Sequence, residues 1–425
     1  MKTYTVNSIE NGELNGLLGE LYGPEAAGEQ KQRYSSLIAG FTRRFGSGEV
    51  ILFSSPGRSE LCGNHTDHNH GKVIAAGIQL DKIAAAVPRS DFVVEIVTEG
   101  FPEDISADLR HLKPDSGESG KADALVRGIA AYFQQKGYRI GGFSAYIDSR
   151  VAMGSGLSSS ASLEVLIGMV FNTFYNGGTI DEVELARAGK FAENTFFHKP
   201  CGLMDQVACA AGGISVIDFK EENDPKIDRI DISFNEFGYQ LMILDTGGDH
   251  ADLTGEYAAI PREMGCIAGQ FDRTVLRDCS LEEILRNSRQ LRETCGDRAV
   301  LRAIHFYQEN ERVDAIREAL AYRDINAYLR TIEASGISSW TLLQNCTPGG
   351  ASNRQAVTYA LGFLRTICPN GIFRVHGGGF AGTVQGYIPA DTFDTMQAVM
   401  EAHFGKGSAT PLTIRSRGVI HIGEE

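Results

Sequence analysis

The chain has 425 residues, of which 42% are apolar and 22% charged, and its formal net charge is −14. These proportions describe a globular protein long enough for two domains with cores of their own. The acidic balance argues against nucleic acid and anionic membrane surfaces as partners. The sequence has no apolar run of the length a membrane-spanning helix needs, and Met1-Lys-Thr-Tyr-Thr-Val does not open an apolar leader. Eight cysteines, at 62, 201, 209, 266, 279, 295, 346 and 368, show no C-x-x-C pairing or regular spacing. They read as reduced thiols, and the chain as a soluble, cytoplasmic protein.

In chain order, residues 1–48 form a glycine-dotted lead-in with a helix near Gln30–Phe45. Val50–Phe53 is a short buried strand that runs into Ser54-Ser-Pro-Gly57, a turn by composition. Lys82–Val87 and Asp91–Thr98 read as strands, Pro102–Ser119 as an exposed loop and Lys121–Gln135 as a helix. Gly142–Asp148 alternates as a strand should, and Leu163–Phe171 has the apolar content of a buried helix. Ile180–Glu193 is a further helix with Asp181 in its capping region, and Gly213–Asp218 is a strand. The charged stretch Lys220–Arg229 is either a domain boundary or a solvated hairpin. Tyr239–Asp245 is an apolar strand, and Leu253–Ile332 is largely helical with breaks near Asp278–Ser280 and Gly296. Ala351–Leu364 follows as a helix, then Phe373–His376, Phe380–Ile388, Asp391–Phe404 and Leu412–Ile422 as strand, strand, helix and strand. No regular βαβ alternation is present, which predicts an α+β fold in two domains, divided into 1–225 and 226–425.

Between the strand at 142–148 and the helix at 163–171 lies Val151-Ala-Met-Gly-Ser-Gly-Leu-Ser-Ser-Ser-Ala-Ser162. A strand, a Gly/Ser loop and a helix present bare backbone N–H groups and a positive helix end to an anion. The alternative is a simple Gly/Ser turn with an N-cap, but the density of hydroxyls after Gly154 and Gly156 favours phosphate. The loop is neither a Walker loop nor the dinucleotide pattern G-x-G-x-x-G.

Three other segments carry chemistry. Asn64-His-Thr-Asp-His-Asn-His70 holds three histidines, two asparagines and an aspartate in seven residues. It can be a metal site, a polar loop, or a site for a polyhydroxylated ligand; the last is favoured because such ligands need interleaved donors and acceptors. Lys199–Gln206 places Asp205 at the edge of an apolar stretch, where it could simply cap a helix. His376-Gly-Gly-Gly-Phe-Ala-Gly-Thr383 is a hairpin or a place of close backbone approach to a ligand.

Taken together these motifs resemble those of the GHMP sugar and mevalonate kinases, and within them the galactokinases. Arg58–Gly71 is similar to the signature G-R-V-N-L-I-G-E-H-T-D-Y-N, Gly154–Ser162 to G-x-G-L-S-S-S-A-S, Cys201–Gln206 to C-G-x-M-D-Q, and Gly377–Gly382 to the third, glycine-rich motif. The resemblance spans nearly the whole chain. It implies an N-terminal ribosomal-protein-S5-like domain, a C-terminal ferredoxin-like α/β domain, and phosphorylation of a sugar's anomeric hydroxyl by ATP with Mg2+. It further implies that Asp205 is the catalytic base or orienting carboxylate, with Arg58 beside it. Asn64, His65, Asp67, Gly202 and Tyr257 would bind the sugar. Gly154, Ser155, Gly156, Leu157, Ser158, Ser159, Ser160 and Ala161 would line the phosphates, and Ser160 and Glu193 would hold Mg2+. The partners implied are a small sugar and ATP, with the protein a monomer or weak homodimer. The sequence departs from the pattern at Asn64, where the family's glutamate contacts a sugar hydroxyl, at His68 and His70, and at Asp249, where a basic residue is usual. These changes leave Asp205 and Arg58 in place and bear on which sugar is used.

Overall fold

A computed structural model describes residues 1–46, 48–152, 154, 156–199, 201–221, 224–248, 253–350 and 353–423. Its strands are β1 (Ile51–Cys62), β2 (Lys72–Pro88), β3 (Val93–Thr98), β4 (Ile105–Asp108), β5 (Phe143–Ser149), β6 (Ile214–Asp218), β7 (Lys226–Ile230), β8 (Tyr239–Asp245), β9 (Ile372–Val375), β10 (Thr383–Pro389), β11 (Ala409–Leu412) and β12 (Ile420–Ile422). They form two sheets. The first runs β12-β1-β2-β5-β3-β4, with β6 on β2 and β7 on β6; the second runs β11-β8-β10-β9. Pairing is antiparallel except between β3 and β5. The α+β architecture agrees with the sequence reading.

The first sheet is covered on both faces, which is why β1 is buried along its whole length. On one side Tyr34, Leu37, Ile38 and Phe41 of helix Ala27–Phe45 pack on Leu52, Ile83 and Ala85. On the other, helices Ala122–Gln135, Ser159–Asn176, Glu182–Thr195 and Met204–Ala211 form a layer over Ile51, Phe53 and Ala84. Phe171 meets Phe143 edge to face with ring centres 5.3 Å apart. The helix after the Gly/Ser loop, Ser159–Asn176, buries Val165, Leu166, Ile167, Val170 and Phe171. At roughly 1.5–3 kcal/mol for each such side chain, this burial outweighs the backbone strain at its entrance. There Ser158 has φ +57°, a left-handed conformation that costs an L-residue about 1–2 kcal/mol.

Several elements differ from the sequence expectation. Ser54–Gly57 is no turn: β1 runs through it with a bulge between Pro56 and Arg58. Its polar groups have buried partners, Ser54 Oγ on Asp81 and the Ser55 carbonyl on Ser162 Oγ, so the strand can continue inward. Pro102–Ser119 contains β4, and Leu412–Ile422 is broken into the end of β11 and β12 rather than being one strand. Lys220–Arg229 falls within the β6–β7 hairpin. The helix expected from Ala351 starts at Ala356; residues 351–352, included in the expected helix, lie outside the described residues, as does Asp249. The eight thiols are not all reduced, because Cys266 and Cys295 form a disulfide between helices Thr254–Gly269 and Ser288–Cys295, with Cα atoms 6.0 Å apart. A separation of 29 residues has no sequence signature, and only the packing of the two helices brings the sulfurs together.

The chain's far ends meet at Asp81, a fully buried carboxylate on β2. Arg33 Nη1 reaches it at 2.6 Å, Arg415 Nη1 at 3.0 Å and the Tyr22 hydroxyl at 2.6 Å. Burial pushes its pKa up, but the two guanidinium charges win and hold it below the usual carboxylate value. Removing one member of a buried ionic cluster leaves the others uncompensated, at a cost of about 3–5 kcal/mol. Asp81→Asn is therefore expected to lower unfolding stability by that amount in urea titration; a loss within about 1 kcal/mol would show that the cluster holds the fold only weakly.

Candidate active site

Strand β1 passes beneath the Gly/Ser loop, and the two touch through bare backbone. Arg58 N–H donates to the Leu157 carbonyl at 3.1 Å, and a Cβ on Gly57 would lie 2.9 Å from that same oxygen. The passage aims Arg58 at Asp205, which sits in the first turn of helix Met204–Ala211. Arg58 Nε and Nη2 both reach Asp205 Oδ1 at 2.8 Å. Ser158 Oγ donates to Asp205 Oδ2, and Arg58 Nη1 donates to the Gly156 carbonyl. The Asp205 side chain is 34% exposed, whereas Arg58 is buried. Desolvation raises the Asp205 pKa, yet the Arg58 charge and hydrogen bond, with Ser158 and Lys199 assisting, bring it below the ordinary value. Asp205 is thus an ionised carboxylate, open on one side, beside the Gly/Ser loop.

In that loop Gly154 has φ +76° and open space where a Cβ would be; Gly156 has φ +70°, and a Cβ there would stand 3.0 Å from His376 Nδ1 and from Thr383 Oγ1. The glycine-rich segment after β9 therefore packs directly on the loop. Ser159 and Ser160 begin the helix, while the side chains of Leu157 and Ala161 are buried in the cores and can serve only through their backbone. Ser155 lies outside the described residues.

Ser160 Oγ donates to Glu193 Oε1 at 3.4 Å, so the two residues named for Mg2+ meet. One hydroxyl and one carboxylate are hard oxygen donors that suit an ion completing its shell with water and phosphate oxygens. Glu193 is buried; Lys199 Nζ occupies the same Oε1 at 2.8 Å, and Gln206 Nε2 holds Oε2 at 3.1 Å. No group of three or more His, Cys, Asp or Glu that could hold a metal by itself occurs among the described residues.

The five sugar-signature residues are placed differently from one another. Asp67 and Gly202 abut: a Cβ on Gly202 would come within 1.9 Å of Asp67 Oδ2, so only glycine fits. His65, with φ +58°, directs Nε2 at the Gly378 carbonyl, 2.9 Å away. A carbonyl only accepts, so Nε2 carries the hydrogen. The Tyr257 hydroxyl donates to the Gly379 carbonyl at 3.0 Å. Asn64 is 1% exposed and its amide is engaged within the protein. Lys199 draws the set together, since its charge acts on Glu193, Asp205 and Tyr257 alike.

Sequence reasoning missed four groups. Buried Glu60 and Arg374 pair at 2.8 Å behind Arg58; buried His376 lies between Ser59 Oγ and Thr383 Oγ1; Asn345 reaches Asn64 and Gly378. Gln206 bridges Glu193 and Glu164. Of these, Glu60, His376 and Gln206 lie inside segments the sequence singles out, whereas Arg374 and Asn345 carry no local signal.

A strand, a Gly/Ser loop and a helix thus face a carboxylate–guanidinium pair, and likeness to known proteins gives the family. The family profile "GHMP kinases N terminal domain" matches residues 124–213, and "Galactokinase galactose-binding signature" matches residues 39–88. A galactokinase of Clostridium tetani (strain Massachusetts / E88) is 30% identical over 307 residues, covering 70% of this chain and 75% of that protein. The crystal structure of Lactococcus lactis galactokinase complexed with galactose superimposes with a TM-score of 0.78 at 25% identity, covering 92% of this chain and 100% of that one. For Methanococcus jannaschii mevalonate kinase the TM-score is 0.60 at 14% identity, over 87% and 99% of the two chains, a likeness of fold. The chain belongs to the galactokinase family of the GHMP kinases. It is a phosphotransferase that acts on a sugar hydroxyl.

The His65 imidazole is pushed down to about 4, first by burial and then by the neighbouring His68 ring. Between pH 6.5 and about 4 the unfolded chain binds a proton there that the folded chain refuses. Stability is expected to fall as pH drops through that window and to level off below it. The direct check is His65 in a histidine NMR titration: it should stay neutral down to about pH 4, and a midpoint near 6.5 would contradict the geometry.

Proposed function

We propose that this protein is an ATP-dependent sugar kinase that transfers the γ-phosphoryl group to the anomeric hydroxyl of galactose. The observation that carries the reading is the Arg58–Asp205–Ser158 cluster facing the phosphate loop, in a chain that belongs to the galactokinase family. Asp205 would orient the sugar hydroxyl and accept its proton. As the hydroxyl oxygen bonds to the γ-phosphorus, the bond to the bridging oxygen breaks and ADP leaves with the electron pair. Arg58 keeps Asp205 ionised and offsets charge on the transferring group. Backbone N–H groups of Gly154–Ser160 and the helix end hold the phosphates, so most of the catalysis is positioning and electrostatics.

Mg2+ bound with ATP would be held by Ser160 and Glu193 and would supply neutralising charge to the phosphate oxygens. Lys199, now paired with Glu193, would then be free to face phosphate. His65, Asp67, Gly202 and Tyr257 would shape the sugar side. We take the first sheet, residues 51–230 with β12, and the second, β8–β11, as the cores of the two domains expected from sequence. A cytoplasmic monomer or weak dimer fits this reading, and no helix among the described residues is long and apolar enough to cross a membrane.

ADP release from ATP and Mg2+ should be supported by galactose over glucose, N-acetylgalactosamine, galacturonate and arabinose. Robust turnover of another sugar in that panel, with none of galactose, would refute the substrate. Asp205→Asn should lower kcat by about 10²–10⁴-fold, the usual contribution of a positioned acid–base group, while galactose binding by calorimetry persists. Unchanged turnover would remove Asp205 from the chemistry.

A further inference from the structure

The Asn64 side chain has no hydrogen-bonding capacity left for a ligand. An amide side chain offers two N–H donors and an oxygen with two lone pairs. Nδ2 donates to Gly377 O at 2.7 Å and into the Glu60 carboxylate at 2.9 and 3.2 Å. Oδ1 accepts from Asn345 Nδ2 at 2.7 Å and from Ser339 Oγ at 3.4 Å. Even its main-chain carbonyl is taken, by His305 Nε2 at 3.0 Å.

These bonds converge on one short segment. The carbonyls of Gly377, Gly378 and Gly379 are held in turn by Asn64, by His65 with Asn345, and by Tyr257. The same segment leans on the phosphate loop: a Cβ on Gly377 would be 3.8 Å from the Gly156 carbonyl, and His376 and Thr383 flank Gly156. Glu60 is anchored by Arg374 from β9, which closes the network behind the segment.

We propose that Asn64 is a positioning residue rather than a sugar ligand: it clamps the Gly377–Gly379 segment against the phosphate loop and so serves nucleotide and sugar together. This deepens the kinase reading above and rests on it. The residue type follows from Glu60. A carboxylate at position 64 would bring acceptor against acceptor and charge against charge at about 3 Å in a buried site, whereas the amide donates into Glu60. Whatever hydroxyl the family's glutamate reads is left to other groups here.

The test compares the wild type with Asn64→Ala, Asn64→Asp and Asn345→Ala in the full chain, each checked for folding by its thermal transition. Affinity for a fluorescent ATP analogue, measured without sugar, should fall about tenfold in all three, the scale of one buried hydrogen bond. Steady-state kcat/KM should then drop by a common factor on galactose and on each singly deoxygenated galactose. Unchanged nucleotide affinity, with a loss that vanishes only on the one sugar lacking the contacted hydroxyl, would overturn the proposal and make Asn64 a ligand. Asn345→Ala lies one bond further from the signature loop and keeps the test decisive should an Asn64 variant fail to fold. A wild type that binds nucleotide but ignores galactose refutes only the substrate, and the nucleotide comparison still decides this point.

Discussion

The site depends on keeping a carboxylate charged while most of it is out of water. Desolvation pushes the Asp205 pKa up, and a protonated acid could neither orient nor deprotonate a hydroxyl. Arg58 reverses that balance with two contacts at 2.8 Å, and Ser158 adds a third donor. Arg58 can do this because β1 continues, buried, under the phosphate loop, and Gly57 lets the two backbones touch. The bulge at Pro56–Arg58 and the buried partners of Ser54 and Ser55 thus belong to the electrostatics of the site as much as to the sheet.

A second constraint joins the two sheets. Glu60 on β1 and Arg374 on β9 are both buried and pair at 2.8 Å. A buried pair of this kind adds little net stability, but it penalises any other arrangement of the strands. The pair fixes where the glycine-rich segment after β9 arrives, and Asn64, Asn345, His65 and Tyr257 then hold its carbonyls. The Gly/Ser loop, the Asn64–His70 segment and the glycine-rich segment after β9 are thereby in contact although they lie far apart in sequence. Asp81 does comparable work on β2, binding the N-terminal helices and the Arg415 segment to that strand.

Much of this was legible in the sequence where a local rule applies. The Gly/Ser loop was placed between its strand and helix because alternation, glycines and an apolar helix pattern all occur within one window. Tyr239–Asp245 coincided with β8 residue for residue, since its apolar run is bounded by a glycine and a polar cluster. Ser54–Gly57 misled because its composition is that of a turn, while its partners Asp81 and Ser162 are distant in sequence. The hydrogen-bond partners of Asn64 are likewise mostly distant in sequence. Its partners at 305, 339, 345 and 377 are known only from the fold. The Cys266–Cys295 pair and the return of β12 to β1 are further cases of tertiary contact without local signal.

The central claim is that phosphate passes to the hydroxyl beside Asp205 and to no other acceptor. Phosphorus NMR of the reaction with galactose, ATP and Mg2+ tests it most directly, because coupling between the product's phosphorus and its attached proton identifies the carbon bearing the ester. The account predicts one new phosphomonoester coupled to the anomeric proton, formed in step with ADP. An ester on another carbon, or γ-phosphate released only as inorganic phosphate, would contradict it.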